Sequence, residues 1–323
     1  MDIGIRILNI IYIPVISIGI HMIEIILWIS LGALVLASAI PKEHEPYRFL
    51  VGGAGWALFA LHWLMQPPHF IQELDYANVV LVLLFAMFCL FVGYTMVKTG
   101  RAMQKTCENN TVDPADAGYC ITDTDNDTGT ELDITPRPTS TPISKNSTLF
   151  TLTRATALSG LFYFPFANIP LLNQWIISLV TNQTLWLTGY LGYPAIPEAW
   201  NQISLNGNFV EIILACTAIE SIALFMGLIF AVNVPTKRMF KAFMVSIPVI
   251  YILNILRDVF VIIAYGQMWF GAESFTIAHH IIAKAGSGIA LFIIAYAVLK
   301  TLPELLDMIE GIWVLIRDGI HTK

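Results

Sequence analysis

Cys216, Arg257 and His280 stand on three consecutive apolar runs in the C-terminal half of the sequence, and together they could carry out acyl transfer. The nucleophile in such chemistry is the thiolate, which apolar surroundings disfavour unless a cation or base compensates. A histidine within reach takes the thiol proton and later returns it to the leaving amine. An arginine keeps its charge and donates from a planar fork, which suits the oxyanion of a tetrahedral intermediate. Around this trio lie Glu211 and Glu220 on the first run, Asn254 and Asp258 on the second, and His279 and Lys284 on the third. On continuous helices Glu220 is one turn from Cys216 and Lys284 one turn from His280, so a Glu220–Lys284 bridge is expected to fix the two helices. Asn254, three residues before Arg257, is placed to orient the guanidinium. Asp258 offers a counter-charge, although it lies ~100° around the helix from Arg257. No Cys-x-x-Cys pair or Cys/His cluster has metal-ligand spacing, and the trio needs neither metal nor cofactor.

The elements that position these groups are apolar. The chain is 56% apolar and 12% charged, with a mean hydropathy of +0.70, a composition that excludes an ordinary soluble core. Seven stretches are long enough for the ~20 residues that cross a bilayer: 16–40, 47–65, 77–98, 149–168, 208–232, 242–266 and 276–299. The expected fold is an all-α polytopic membrane protein of about seven transmembrane helices, with six to eight possible. Residues 7–15, with Pro14, are too short for a separate span, and the N-terminus lacks the pattern of a removable signal peptide. Residues 1–98 hold the first helices and 99–148 form a polar, acidic loop with the composition of disorder. Residues 149–300 form a catalytic core interrupted by a re-entrant or interfacial segment, 169–207. Residues 301–323 read as an amphipathic tail.

Charge orients the bundle. Segments 66–76, 169–207 and 267–275 carry no Lys or Arg, whereas the alternate connections carry Lys42 and Arg48, a set from Lys98 to Arg154, and Lys237, Arg238 and Lys241. The basic side is expected to be cytoplasmic. That orientation places 99–148 inside, against its glycosylation-like triplets at Asn109, Asn126 and Asn146, and makes Asn182 the better acceptor. Cys216 then lies ~12 Å below the external end of its run near Asn208, Arg257 ~13 Å below Gly266, and His280 about one turn below Phe275. A site in the outer leaflet between the last three spans follows. The basic residues form no stripe and the net charge is −6, so nucleic acid is not an expected partner.

The stretches "ACTAIESIALFMGLIFAV", "KAFMVSIPVIYILNILRDVFVIIAYG" and "AHHIIAKAGSGIALFIIAYAVL", with "AGWALFALHWL" and "LSGLFYFPFANIP" upstream, resemble the archaeosortase/exosortase family. The resemblance covers most of the chain outside 99–148. It implies an archaeal cell-membrane cysteine transpeptidase, unrelated in fold to soluble sortases, with its active site facing outward. Its partners would be surface proteins such as S-layer glycoproteins, recognised by a C-terminal signal of Pro-Gly-Phe type, a transmembrane helix and a basic tail. Cleavage through a Cys thioester would pass the new C-terminus to a membrane lipid. By motif position Cys216 is the implied nucleophile, Arg257 the first basic residue and His280 the third member, with His279 adjacent. Ala218 stands where the family commonly has glycine, and Glu220 where it has glutamine or arginine.

A transporter or proton-coupled carrier would also hold buried Glu, Asp, Arg, His and Lys. Against it, the polar residues cluster in three spans, no inverted repeat is visible, and transport has no special need of Cys216. A non-catalytic scaffold is a third reading, and a serine intramembrane protease is disfavoured by the absence of Gly-x-Ser-x-Gly.

Overall fold

The structure is a computed structural model that describes residues 22–72, 76–110 and 145–321. The chain divides after Ala157 into two compact units.

The first unit contains α1 (Met22–Ala39), α2 (Glu45–Leu64), a short α3 (Pro67–Gln72), α4 (Tyr76–Asn110) and the start of α5 (Lys145–Asn168). Small residues let α2 and α4 approach closely, since a Cβ on Gly53 would stand 2.9 Å from the Gly93 carbonyl. Two polar groups among these helices find partners inside the unit. Trp56 Nε1 donates to Thr153 Oγ1 (2.9 Å), and the buried Arg48 guanidinium lies 4.0 Å from the centroid of the Phe150 ring. The expected 99–148 loop is shorter at both ends, because α4 runs helical through Asn110 and α5 begins at Lys145. Residues 111–144, with Cys120 and the Asn126 triplet, lie outside the described residues, as does the 7–15 run.

In the second unit α5 ends beside Ile169, and α6 (Pro170–Tyr190) leaves it at 89°. Pro170 opens α6 where a backbone donor would have no helical acceptor. The all-α expectation fails beyond α6. Residues 196–211 form a three-stranded antiparallel sheet of β1 (Ile196–Ala199), β2 (Gln202–Leu205) and β3 (Asn208–Glu211). A two-residue turn joins β2 to β3, with Asn206 and Gly207 at φ 53° and 81°, the geometry that hairpin twist favours and that Asn-Gly supplies. The expected span 208–232 is therefore no continuous helix. Its first part is strand and turn, and α7 covers only Ile219–Ala231. Thirteen helical residues reach ~20 Å, short of the ~30 Å hydrocarbon layer.

α8 (Thr236–Gly266), a π-helical segment (Thr276–Ala283) that continues into α9 (Lys284–Thr301), and α10 (Glu304–His321) complete the unit. Among the described residues four helices are long and apolar enough to cross a membrane: α1, α4, α8 and Thr276–Thr301. The bent α5–α6 pair makes a fifth candidate, and the expected 47–65 and 208–232 stretches are not among them. The inner face of the sheet packs on α6 and α8 through Ile203, Leu205 and Ile212 against Ile177, Val180, Val259 and Ile262. Gly266 permits this, since a Cβ there would stand 2.5 Å from the Leu205 side chain. At the other end of the unit Arg238 grips Glu304 through two 2.8 Å hydrogen bonds and donates twice to the Thr301 carbonyl, fixing the start of α10.

Candidate active site

Beyond β3 the chain stays extended to Ile213 (φ −113°, ψ 174°) and then tightens into a 3₁₀ turn, Leu214–Cys216. The turn is closed by Cys216 N–H on the Ile213 carbonyl (2.8 Å), and by both the N–H (3.0 Å) and the Oγ1 (2.7 Å) of Thr217 on the Leu214 carbonyl. Ala218 reverses the chain into α7 from the left-handed region, φ 59° and ψ 6°. Only glycine adopts that conformation freely, so Ala218 holds a strained backbone at this turn. Cys216 is thus held on a strand-to-helix turn and not on a helix face, so Glu220 does not share a face with it.

α8 supplies the partners. Asn254 Nδ2 donates to the Cys216 carbonyl (2.6 Å) and to Asp258 Oδ2 (3.3 Å). Arg257 Nε and Nη2 both donate to Asp258 Oδ1, at 3.1 and 2.8 Å. Asn254 therefore tethers the cysteine turn and the Asp258 carboxylate, and does not touch the guanidinium as the spacing suggested. The adjacent pair bonds despite its ~100° separation, because a long arginine side chain can fold back along the helix surface. Asp258 is 5% exposed and Arg257 22%. Arg257 lies close enough to the Cys216 thiol for its charge to act on it. Its Nη1 donates to no oxygen among the described residues.

The histidines sit on the π-helical segment, whose wide turns are rare and recur at functional sites. His279 is half-buried, stacks on Phe275 (5.2 Å between centroids, 6° between planes) and stands edge-on to His280 at 4.7 Å. Its buried Nδ1 makes no hydrogen bond among the described residues, and Arg257 is one of the charges acting on its ring. His280 is exposed, as is Lys284. The structure thus brings Cys216, Asn254, Arg257 and Asp258 together, and sets His279 where the Arg257 charge acts on its ring.

A cavity of about 490 Å³ lies beside this set, between α7, α8 and α9. Glu220, Asn254 and Arg257 are among its polar lining, and Ala218, Ile250, Ala283 and Gly286 among its apolar lining. The anticipated Glu220–Lys284 bridge is absent among the described residues. Glu220 instead accepts from the Tyr163 hydroxyl of α5 at 3.5 Å. Gly286 and Gly288 leave open space, since a Cβ added at either would meet nothing within 4 Å. Reading 208–232 as a span hid the sheet, although the Asn206-Gly207 pair between Ile203-Ser204-Leu205 and Asn208-Phe209-Val210 was a hairpin signal in plain sight.

Residues 143–299, which hold the sheet, the cysteine turn, the cavity and both histidines, match the family described as Transmembrane exosortase (Exosortase_EpsH). The chain is also 28% identical over 325 residues to Archaeosortase A of Haloferax volcanii, covering 90% of this chain and 92% of that protein. The chain is similar to the archaeosortase/exosortase family. Archaeosortase A of Natronomonas pharaonis is 26% identical over 320 residues, with coverages of 89% and 87%. No solved structure matches the chain. Archaeosortase and exosortase relatives, together with the apolar helices, make it a multi-pass membrane protein and a processing enzyme of the sortase-like transpeptidase kind.

Proposed function

We propose that this archaeosortase-family chain is a membrane-embedded cysteine transpeptidase that cuts a C-terminal sorting signal from surface proteins and transfers the new C-terminus to a lipid. The signal has a Pro-Gly-Phe-type motif, an apolar helix and a basic tail, and S-layer glycoproteins are the expected substrates. The observation that carries the reading is the 3₁₀ turn that holds Cys216 against the Arg257–Asp258 pair. Cys216 attacks the scissile carbonyl while its proton passes to a histidine. His279 is the better placed of the two for this, because it is half-buried and coupled to Arg257. The free face of the Arg257 guanidinium donates to the developing oxyanion, with Asp258 holding the fork in place. Collapse expels the amine of the severed signal, which takes the proton back from the histidine, and leaves a thioester on Cys216. A lipid nucleophile then attacks the thioester, and the apolar cavity limits hydrolysis by keeping water scarce. The Lys/Arg pattern supports an outward-facing site.

The test is Cys216→Ser in cells that express a tagged substrate with such a signal. A stably inserted Cys216→Ser enzyme should leave the substrate unprocessed; normal maturation would rule out the thiol mechanism.

A further inference from the structure

The sheet ends in an unpaired strand that runs into the nucleophile. In the two-residue hairpin, Leu205 and Asn208 form a hydrogen-bonded pair, and such pairs alternate with non-bonded ones along an antiparallel ladder. The register Ile203↔Val210, and the Ile212 N–H on the Asn201 carbonyl (2.8 Å), continue that alternation. Asn208, Val210 and Ile212 therefore turn their backbone groups toward β2, and Phe209, Glu211 and Ile213 turn theirs away. No strand lies beyond β3 among the described residues, and the outward backbone groups of Phe209 and Glu211 make no hydrogen bond there.

This edge descends along α8. Asn208 Nδ2 reaches the Tyr265 carbonyl (3.4 Å), and Cys216 meets Asn254. Tyr265 and Asn254 are about 16 Å apart along the helix axis. An open strand edge cannot face lipid at membrane depth, where each unmet polar group is costly; it is tolerated only beside water or protein. The exposed Glu211 carboxylate agrees with a wet groove there, and Phe209 (59% exposed) and Ile213 (52%) flank it with apolar surface on the same face.

We infer that the free edge of β3 takes the extended segment of the substrate as a fourth, parallel strand and so delivers the scissile peptide to Cys216; this rests on the transpeptidase reading above. Only a polypeptide backbone offers the alternating donors and acceptors that such an edge lacks, so the occupant is the protein substrate and not the lipid acceptor. The direction is set by the element that succeeds each segment. β3 leads through Cys216 into apolar α7, and the cleavage motif leads into the substrate's own apolar helix, so both enter the membrane by their C-terminal ends. Strand pairing also fixes depth, because a bound chain advances ~3.3 Å per residue toward the thiol.

The experiment uses the full-length enzyme in lipid vesicles with a synthetic peptide carrying a Pro-Gly-Phe motif, an apolar helix and an Arg/Lys tail. Single N-methyl amides are scanned through the residues before the cleavage site. Methylation should slow cleavage about five- to tenfold at every second position and leave the alternate positions near the unmethylated rate. Losses at consecutive positions, or at none, overturn the inference. On the enzyme, measured against Glu211→Ala, which loses the same carboxylate contact to Asn201 Nδ2 (3.0 Å) but keeps the N–H, Glu211→Pro removes an outward N–H that β2 does not use, an arrangement that edge strands accept. It should raise KM about five- to tenfold with kcat retained, and an unchanged KM in a variant that still melts like the wild type also overturns the inference. If the wild type fails to cleave the unmethylated peptide, the transpeptidase reading itself falls and this one with it; cleavage without alternation removes only the strand pairing.

Discussion

Arg257→Lys separates a catalytic arginine from one that merely neutralises Asp258. In the structure Nε and Nη2 are both spent on Asp258 Oδ1, at 3.1 and 2.8 Å, which leaves the remaining face of the fork toward the thiol and the cavity. A lysine ammonium is a single point charge. It can keep the ion pair with the 5%-exposed Asp258 or approach the reacting carbonyl, but it has no second nitrogen in a fixed plane for both. Losing one preorganised oxyanion donor costs about 10²–10³ in rate, or ~2.7–4 kcal/mol of transition-state stabilisation. Charge balance at Asp258 is preserved, so stability should change by less than ~1 kcal/mol. Asp258→Asn, by contrast, strands the buried guanidinium and should destabilise by ~3–5 kcal/mol. The assay is single-turnover cleavage of the reconstituted signal peptide, with thermal unfolding in the same vesicles. A lysine variant that keeps more than about a third of the wild-type rate would refute the oxyanion role, because that loss is far below what one donor supplies.

Alanine at His279 should cost about 10²–10⁴ in kcat if that ring moves the proton, whereas His280→Ala should stay within about threefold of wild type; the reverse order in the same assay would return the role to His280. Ala218→Gly should raise the thermal midpoint, since relief of ~1–2 kcal/mol of left-handed strain exceeds the ~0.5–1 kcal/mol entropic cost of glycine; a lower midpoint would mean that the methyl group matters more to the packing than the backbone does. Partial burial pushes the Glu304 carboxyl up, but the hydrogen bonds and charge of Arg238 outweigh it and hold the group below its ordinary value. A depressed folded-state value contributes stability that is present above the unfolded value and lost as pH falls through the folded one. Wild type should therefore be more stable than Glu304→Gln near neutrality, and the two melting curves should converge in acid below the usual carboxylate range; a gap that persists there would show that the Arg238 contact is not electrostatic.

Hydropathy was a good guide to the long helices and a poor one to the segment that matters most. α4, α8 and the run through α9 were legible because apolar residues continue past a bilayer's length. The region around Cys216 was not, since an apolar strand and a short helix have the same apolar content as one long helix. Local chemistry would have separated them, because Asn206-Gly207 marks a hairpin. The left-handed turn was also half-legible, since the resemblance implied a glycine at Ala218 and the positive φ there supplies a backbone reason for one. The choice between His279 and His280 could not be read at all. It depends on the π-helical turns of 276–283, which shift the direction of each side chain without leaving any trace in residue type. The common depth expected for Cys216, Arg257 and the histidines was counted from helical rise, and Cys216 is not on a helix.

The Asn206-Gly207 hairpin makes the stretch between it and Cys216 a ruler. One end is pinned at the Gly266 and Tyr265 carbonyls by Asn206 and Asn208, and the other at Asn254 by the Cys216 carbonyl. Inserting or deleting a single residue between Asn208 and Cys216 would move the thiol by ~3.3 Å, more than a hydrogen bond's tolerance. It would also exchange the inward and outward faces of the strand. Substitutions along this stretch can be absorbed one at a time, but its length cannot drift without separating the nucleophile from its arginine.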